Sequence, residues 1–509
     1  MAPATVDETE PLLGLGASAE ICHDDLEART RRIDDIVDFD PKGDPENPRE
    51  WPNGFKWVIT MLLTFMAFSV TFNCISVVPI ANRIVSDLSG GKGSKSASVL
   101  LVTIWELGEA AGPLVIAPLS ETLGRWPVIS VANILFVLVT VLAALSQTTS
   151  LFILARALSG LVVTSNVLNP AVVGDIFDPD SRGSPMSLVM VAPLVGGAVG
   201  PAIAGAIAES FSWRWTVWMA AILAGTVTVL LLVFFRETYK VPILRRRMRK
   251  LQREGRTSSH GATTTTNTDD SVPVTSEKQP RSELVESMVR PLIVISSSGV
   301  LMALSLFGSV VFAHFYNMST TLPDILEERY GLSPAKTGSA LICESLGSLA
   351  SVVICNVGLD RIYARMKAAN GGIGQPEFRL PIVIVGGFTL PPAVALYGWA
   401  AELRLPLPVM LLSVGLVGLT LMLAFLPLSA YVVDAFGLYS ASAMTGLIVA
   451  RCLMGTFLPL ATTPLVDKFG YGWGFTVLAA VGLALAPIPV VLLWYGREWR
   501  QCCKYTRGS

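Results

Sequence analysis

Phe211-Ser-Trp213-Arg-Trp-Thr216-Val-Trp-Met-Ala-Ala221 returns near the end of the chain as Phe469-Gly-Tyr-Gly-Trp473-Gly-Phe-Thr476-Val-Leu-Ala-Ala480. Trp213 and Trp473 stand 260 positions apart, and so do Thr216 and Thr476. Upstream, Gly196, Gly200 and Pro201 are echoed by Gly455 and Pro459 at an offset near 258. Glu121-Thr-Leu-Gly-Arg125 has a degraded partner at Asp360-Arg361, offset 239. Three matches in one order describe a duplicated chain, and each Trp-Thr copy opens onto an apolar run.

Apolar runs occupy roughly 57–80, 97–118, 126–147, 151–173, 185–208 and 216–235, then 291–314, 337–357, 379–400, 406–427, 440–464 and 473–496. Each is near the length of about 20 residues that a hydrocarbon core of about 30 Å requires. The runs are continuous rather than alternating, so they read as helices and not as barrel strands. The expected fold is an all-α membrane protein of twelve transmembrane helices in two pseudo-symmetric six-helix halves. Residues 1–56 read as a disordered cytosolic tail, 57–235 as the first half and 236–290 as a basic, Ser/Thr-rich cytosolic linker. Residues 291–496 read as the second half and 497–509 as a short cytosolic tail.

Composition agrees. Hydrophobic residues make up 52% of the 509 and charged residues 15%, against about 25% charged in soluble proteins. That balance excludes a soluble enzyme and a disordered scaffold, and a net charge of −1 leaves no basic face for nucleic acid. Seven cysteines and three histidines show no ligand spacing, so no metal site and no cofactor are expected. The pattern Gly-x4-Gly-Lys-[Ser/Thr] is absent, which speaks against an ATP-driven pump.

Lys and Arg concentrate in the loops on the side of the termini, with or without the long linker, which places both termini in the cytosol. The first residues lack a basic segment followed by an apolar core, as expected of a tail that stays there. The plasma membrane is the expected location, with the vacuolar membrane as the alternative, and the protein is expected to act as a monomer. Asn317-Met-Ser319 falls in an outer loop on this reading and is a glycosylation candidate. Glu8-Thr-Glu-Pro-Leu12-Leu13 resembles a dileucine sorting signal, and Cys502-Cys503 is a palmitoylation candidate. The cluster Arg245-Arg246-Arg247-Met-Arg249-Lys250 suits anionic headgroups.

Five charges lie well inside the runs: Glu106, Glu109, Arg156, Glu344 and Arg451. Each is costly in lipid, by at least about 2.5 kcal/mol, and should face a partner or a cavity. Counted from the outer ends at about 1.5 Å per residue, Glu109 and Arg451 both lie about 18 Å deep, and Glu106 and Arg156 about 14 and 9 Å. The expectation is that Arg156 pairs with Glu106 within the first half and that Arg451 meets Glu109 across the halves. Such pairs either couple to protons, because a carboxylate deserted by its cation changes its proton affinity, or only fix packing. Glu344 has three readings: proton site, site for a cationic substrate group, or structural carboxylate.

Three motifs carry a family resemblance. Ala117-Pro-Leu-Ser-Glu121-Thr-Leu-Gly124-Arg125 resembles the G-x-x-x-D-x-x-G-R loop after helix 2 of the major facilitator superfamily, with Glu121 for the Asp and Ala117 for the first Gly. Arg156-Ala-Leu-Ser-Gly160 resembles its helix-4 signature. Gly196-Gly-Ala-Val-Gly200-Pro201-Ala-Ile-Ala-Gly205 is similar to the helix-5 signature of drug:proton antiporters, with Ala204 for one Gly. With Asp44-Pro-Glu-Asn-Pro48-Arg-Glu-Trp51-Pro and Asp434-Ala-Phe-Gly-Leu-Tyr439-Ser, the chain resembles a fungal multidrug-type facilitator over residues 44–496.

That resemblance implies alternating access, a conformational clamp at Glu121, Gly124 and Arg125, and a cavity lined by helices 1, 4, 5, 7, 8 and 11. Asn73, Asn166, Asn169, Tyr316 and Asn317 are its candidate polar contributors. The implied activity is export of a lipophilic drug, toxin or secondary metabolite in exchange for protons. Proton-coupled uptake and polyamine transport stay open as rivals. A sensor on a transporter scaffold is the rival from another class, and it calls for a longer signalling tail than the 13 residues after Gly496.

Overall fold

Ser94, Thr148, Ser212 and Ser298 each close an extended segment and cap a following helix with a side-chain oxygen. Polar caps and apolar runs therefore set the alternation of the chain. The computed structural model describes residue 39 and residues 44–178, 181–248 and 280–501. The crossing helices are α1 (Asn53–Ile75), α2 (Lys95–Leu123), α3 (Arg125–Leu145), α4 in two segments (Thr149–Leu161 and Ser165–Ile176), α5 (Gly183–Ser210) and α6 (Trp213–Phe234). They continue with α7 (Gly299–Asp324), α8 (Pro334–Ala369), α9 (Leu380–Glu402) and α10 (Leu407–Phe436).

The last apolar segment, Ser440–Gln501, has 62 residues. At 1.5 Å per residue that is about 93 Å, enough for two crossings. Gly470, with φ 78° and ψ 171°, breaks it into α11 (440–469) and α12 (471–501). Two contacts fix the reversal. Tyr471 N donates to Glu402 Oε2 at the C-terminal end of α9 (2.9 Å), and Arg500 Nε donates to Glu377 Oε1 just before α9 begins (2.8 Å). α12 thus runs antiparallel to α9, and the described residues make twelve crossings. We call the end where α1 begins the near end and the opposite end the far end.

The halves share a backbone register. A methyl group at Gly108 of α2 would lie 2.0 Å from Ala157 O of α4, and one at Gly347 of α8 would lie 1.9 Å from Gly415 O of α10. Gly160 likewise abuts Trp105 O (2.1 Å), and Gly418 abuts Glu344 O (2.4 Å). From 108 to 347 and from 105 to 344 the offset is 239; from 157 to 415 and from 160 to 418 it is 258. Only a residue without Cβ allows these approaches, so the same glycine contacts build the α2–α4 and α8–α10 pairs.

The seventh run is displaced from its expected position. α7 starts at Gly299 and reaches Asp324, and a separate helix, Pro280–Ser297, precedes it. That helix begins inside the segment expected to be linker. The polar run after His314, expected in a loop, is carried inside the bundle because it finds partners there. Asn317 is fully buried and accepts from Thr462 of α11 (3.1 Å), so the glycosylation expected at Asn317 is corrected: the acceptor nitrogen lies within the protein interior.

Residues 44–47 and 243–248 belong to a second, small unit, where Asp44 pairs with Arg247. The dileucine-like segment at 8–13, Arg249, Lys250, most of the Ser/Thr-rich linker, Cys502 and Cys503 lie outside the described residues.

Candidate functional site at the seam between the halves

α2 runs from the far end to the near end and places Trp105, Glu106 and Glu109 along one side. α11, approaching from the other half, places Arg451 opposite them. Arg451 Nη2 donates to Glu109 Oε1 at 2.8 Å. The same oxygen accepts from Asn166 Nδ2 (2.7 Å), and Oε2 accepts from the Trp105 indole (3.3 Å). Asn166 reaches this point because α4 is interrupted between Leu161 and Ser165 and restarts beside the carboxylate. The Arg451 guanidinium lies 4.3 Å from the centre of the Phe312 ring and 5.9 Å from that of Phe425, so its desolvated charge also rests on aromatic faces.

Glu106 is held differently. Tyr316 of α7 donates to Glu106 Oε1 at 2.6 Å, again across the halves. Its second oxygen has no hydrogen-bond partner among the described residues and points toward Gly455 of α11, where a methyl group would lie 3.5 Å away. The expected Arg156–Glu106 pair is not formed. Arg156 donates instead to Asn73 O (2.9 Å) and Cys74 O (2.7 Å) and stacks 4.7 Å from the Trp105 ring centre. The reason is local: α1 stops at Ile75, its last carbonyls have no donor farther along the helix, and lipid offers no water to supply one.

Glu106, Glu109 and Cys452 present ligand atoms within 4.8 Å of one another. Arg451 already provides a positive charge at that point. Glu344 forms no ion pair among the described residues and accepts from Ser348 Oγ (2.9 Å) and Ser345 Oγ (3.4 Å). Of the remaining polar candidates, Asn73 donates to Thr140 and Asn169 to Leu63 O, both buried within the first half. Asn166 and Tyr316 therefore belong to the charge centre, whereas Asn73, Asn169 and Asn317 hold helices together.

The near-end turn after α2 is built around Gly124, whose φ of 103° suits only glycine. It lets Arg125 N and Trp126 N donate to the two oxygens of Glu237 (2.8 and 3.2 Å). The Arg125 side chain pairs with Asp175 Oδ2 at the end of α4 (3.3 Å), bonds Ser120 Oγ, and lies 4.7 Å from the Tyr239 ring centre. Glu121 is exposed and takes no part in this cluster among the described residues. Asp175 and Glu237 were missed by sequence reasoning; the available signal was that each carboxylate stands at the near end of a run, on the side of Arg125.

The glycines of α5 divide their work. Methyl groups placed on Gly196 and Gly200 would stand 2.9 and 3.3 Å from Phe68 O and Phe72 O of α1. Gly205 lies against Pro334 O of α8 at 2.1 Å, and Pro201 O meets Gly338 of α8 at 2.0 Å, by the same measure. The last two form a close backbone contact between the halves.

Polar contacts join the halves from the far end to the middle. Lys95 pairs with Glu328 (3.6 Å) and Asn82 donates to Asp324 (2.5 Å). Deeper in, Thr456 donates to Thr103 O (3.3 Å), followed by the Tyr316–Glu106 and Arg451–Glu109 contacts. The far end is closed in this conformation.

The family model described as Major Facilitator Superfamily matches residues 58–459. The "Efflux pump radE" of Floropilus chiversii is 33% identical over 471 residues, covering 92% of this chain and 85% of that one. The "MFS-type transporter penM" of Penicillium rubens is 31% identical over 497 residues, covering 96% and 95%. Among solved structures, a D-xylose-proton symporter superposes with a TM-score of 0.63 over 89% of this chain and 99% of that one. Its 17% identity speaks to fold alone.

Proposed function

The chain belongs to the Major Facilitator Superfamily, and on that premise we propose that this membrane transporter exports a lipophilic small molecule from the cytosol in exchange for protons. The observation that carries the reading is the Arg451–Glu109 pair, an ion pair at mid-depth whose partners belong to different halves. When the halves rock about a central site, such a pair must change its geometry. A carboxylate that keeps its cation stays ionised, and one that loses it in a low-dielectric setting takes up a proton. Proton binding at Glu109 and the swing of the halves are thereby linked.

Relatives of 30% identity or more that bear the names efflux pump and MFS-type transporter support transport, and the first of these names supports the outward direction. With the termini in the cytosol and the protein in the plasma membrane, the closed far end faces outward, which is the conformation in which an exporter loads. The half-buried rings of Phe312, Phe315 and Phe425 beside Arg451 offer an apolar wall for a lipophilic solute.

Cells with and without the protein, given a panel of labelled lipophilic compounds, test export: lower accumulation with the protein is expected. In vesicles, Glu109→Gln should abolish flux driven by a pH gradient. Equal accumulation across the panel, or wild-type gradient-driven flux in Glu109→Gln, overturns the reading.

A further inference from the structure

Glu106 and Glu109 are one helical turn apart on α2, and their nearest carboxylate oxygens lie within 4.8 Å. Their surroundings differ in one respect that matters for proton movement. Glu109 and Arg451 keep 8% and 14% of their side-chain surface exposed, so their pair borders open space. Glu106 is 2% exposed and sealed between α2 and α11. One of its oxygens is held by Tyr316 and the other is buried against Gly455 with no donor among the described residues. Gly455, Tyr316 and the Thr456–Thr103 contact, each involving the other half, close it off on the far side. When the far end opens, all three must withdraw together.

We propose that Glu106 takes up the proton from the far side as the α2–α11 seam parts, and keeps it while the seam is shut. The proposal rests on the proton-coupled reading above and adds the carboxyl at which the proton enters and is held. In the open seam both oxygens of Glu106 meet water, and one of them gains a proton. On closure Tyr316 again donates to Oε1, and the protonated oxygen is left without a water partner. Glu109 meanwhile keeps Arg451 as its cation, so the two carboxyls of the closed seam are in different forms.

The groups that face Glu106 are Glu109 on its own helix, Tyr316 on α7, Arg451 and Cys452 on α11, and, around the same cluster, Cys74 on α1 with Arg156 on α4. Of these, only Arg451 and Arg156 carry positive charge. Arg451 is bonded to Glu109 and Arg156 is bonded to the end of α1. Neither is ion-paired to Glu106, which distinguishes it from Glu109 as the carboxyl able to hold a proton while the seam is shut.

The test uses the full chain in lipid vesicles and N,N′-dicyclohexylcarbodiimide, a reagent that attaches to protonated carboxyl groups in apolar surroundings, with the adducts located by peptide mapping. The expected result is an adduct on Glu106 whose yield falls as the pH is raised, with Glu109 unmodified unless Arg451→Ala is introduced. Tyr316→Phe removes a donor to the ionised form and should shift the Glu106 profile upward by about one pH unit, a change that a purely structural contact would not produce. An adduct on Glu109 with Glu106 untouched in the wild type, or a Glu106 yield independent of pH, overturns the proposal. Because labelling needs no substrate, it is separable from the flux test. Gradient-driven flux with labelling at Glu109 removes Glu106 as the holder of the proton and leaves the coupling, whereas absent flux removes the coupling itself.

Discussion

Glu344 stands in the second half where Trp105 stands in the first. Both present their carbonyl to the glycine of the neighbouring helix, Gly418 and Gly160 respectively, at the same register. One offset of 239 carries Glu106 onto Ser345 and Glu109 onto Ser348, the two hydroxyls that hold Glu344. The halves thus share a backbone but not a charge pattern. The first brings two carboxylates to the seam, and the second keeps one carboxylate among serines.

A buried carboxylate with hydroxyl partners and no ion pair is costly to keep ionised. Glu344→Gln preserves an acceptor for Ser348 and removes the charge, so it should raise the apparent melting temperature in detergent by about 2 °C. Glu344→Ala, which also leaves a cavity, should lower it. Equal losses for both variants in a thermal scan would show that the charge itself is needed.

Breaking the Glu109–Arg451 pair from one side leaves a buried charge uncompensated, and each of Glu109→Ala and Arg451→Ala should cost about 3–5 kcal/mol. The double variant should cost clearly less than the sum. A double-mutant cycle by denaturant unfolding reads this directly, and additive losses would mean that the pair contributes nothing.

At the near-end turn, Glu237→Ala strips the acceptor from four backbone N–H groups, those of Arg125, Trp126, Thr238 and Tyr239, and should destabilise by about 1–3 kcal/mol. Gly124→Ala should do at least as much, because its Cβ would fall 2.3 Å from Glu237 Oε2 on a left-handed backbone. Glu121→Ala should stay within about 0.5 kcal/mol of wild type. A large loss for Glu121→Ala in the same assay would return the clamp to that residue.

The α5–α8 contact belongs to the closed far end, so crowding it should favour the opposite state. Gly338→Ala places a methyl group 2.0 Å from Pro201 O. Spin labels on Lys92→Cys and Lys336→Cys should then report longer far-end distances than in the parent with the same labels. An unchanged distribution would mean that the helices absorb the methyl group without parting.

The architecture was legible because the runs have membrane length and the Trp-Thr stretch recurs, both properties of local sequence. The meeting of Glu109 with Arg451 follows from their equal depth on helices of opposite halves. What escaped depended on where helices stop. The partner of Arg156 is set by the end of α1 at Ile75, whereas the apolar run itself continues to about residue 80. Asn317 reads as a loop residue because a stretch of hydroxyls and amides looks solvated until Thr462 and Tyr397 are brought beside it. Asp175 and Glu237 lie 50 and 112 positions from Arg125, so only the folded chain reveals them as one cluster.

The grip of Arg156 on the final carbonyls of α1 has a mechanical consequence. A helix whose end is tethered by a fork of two hydrogen bonds cannot swing apart from its neighbour without leaving both a guanidinium and two carbonyls bare. α1 and the first segment of α4 therefore move as a single lever. Motion of the far part of α1 is thereby delivered to the helix that ends beside Glu109.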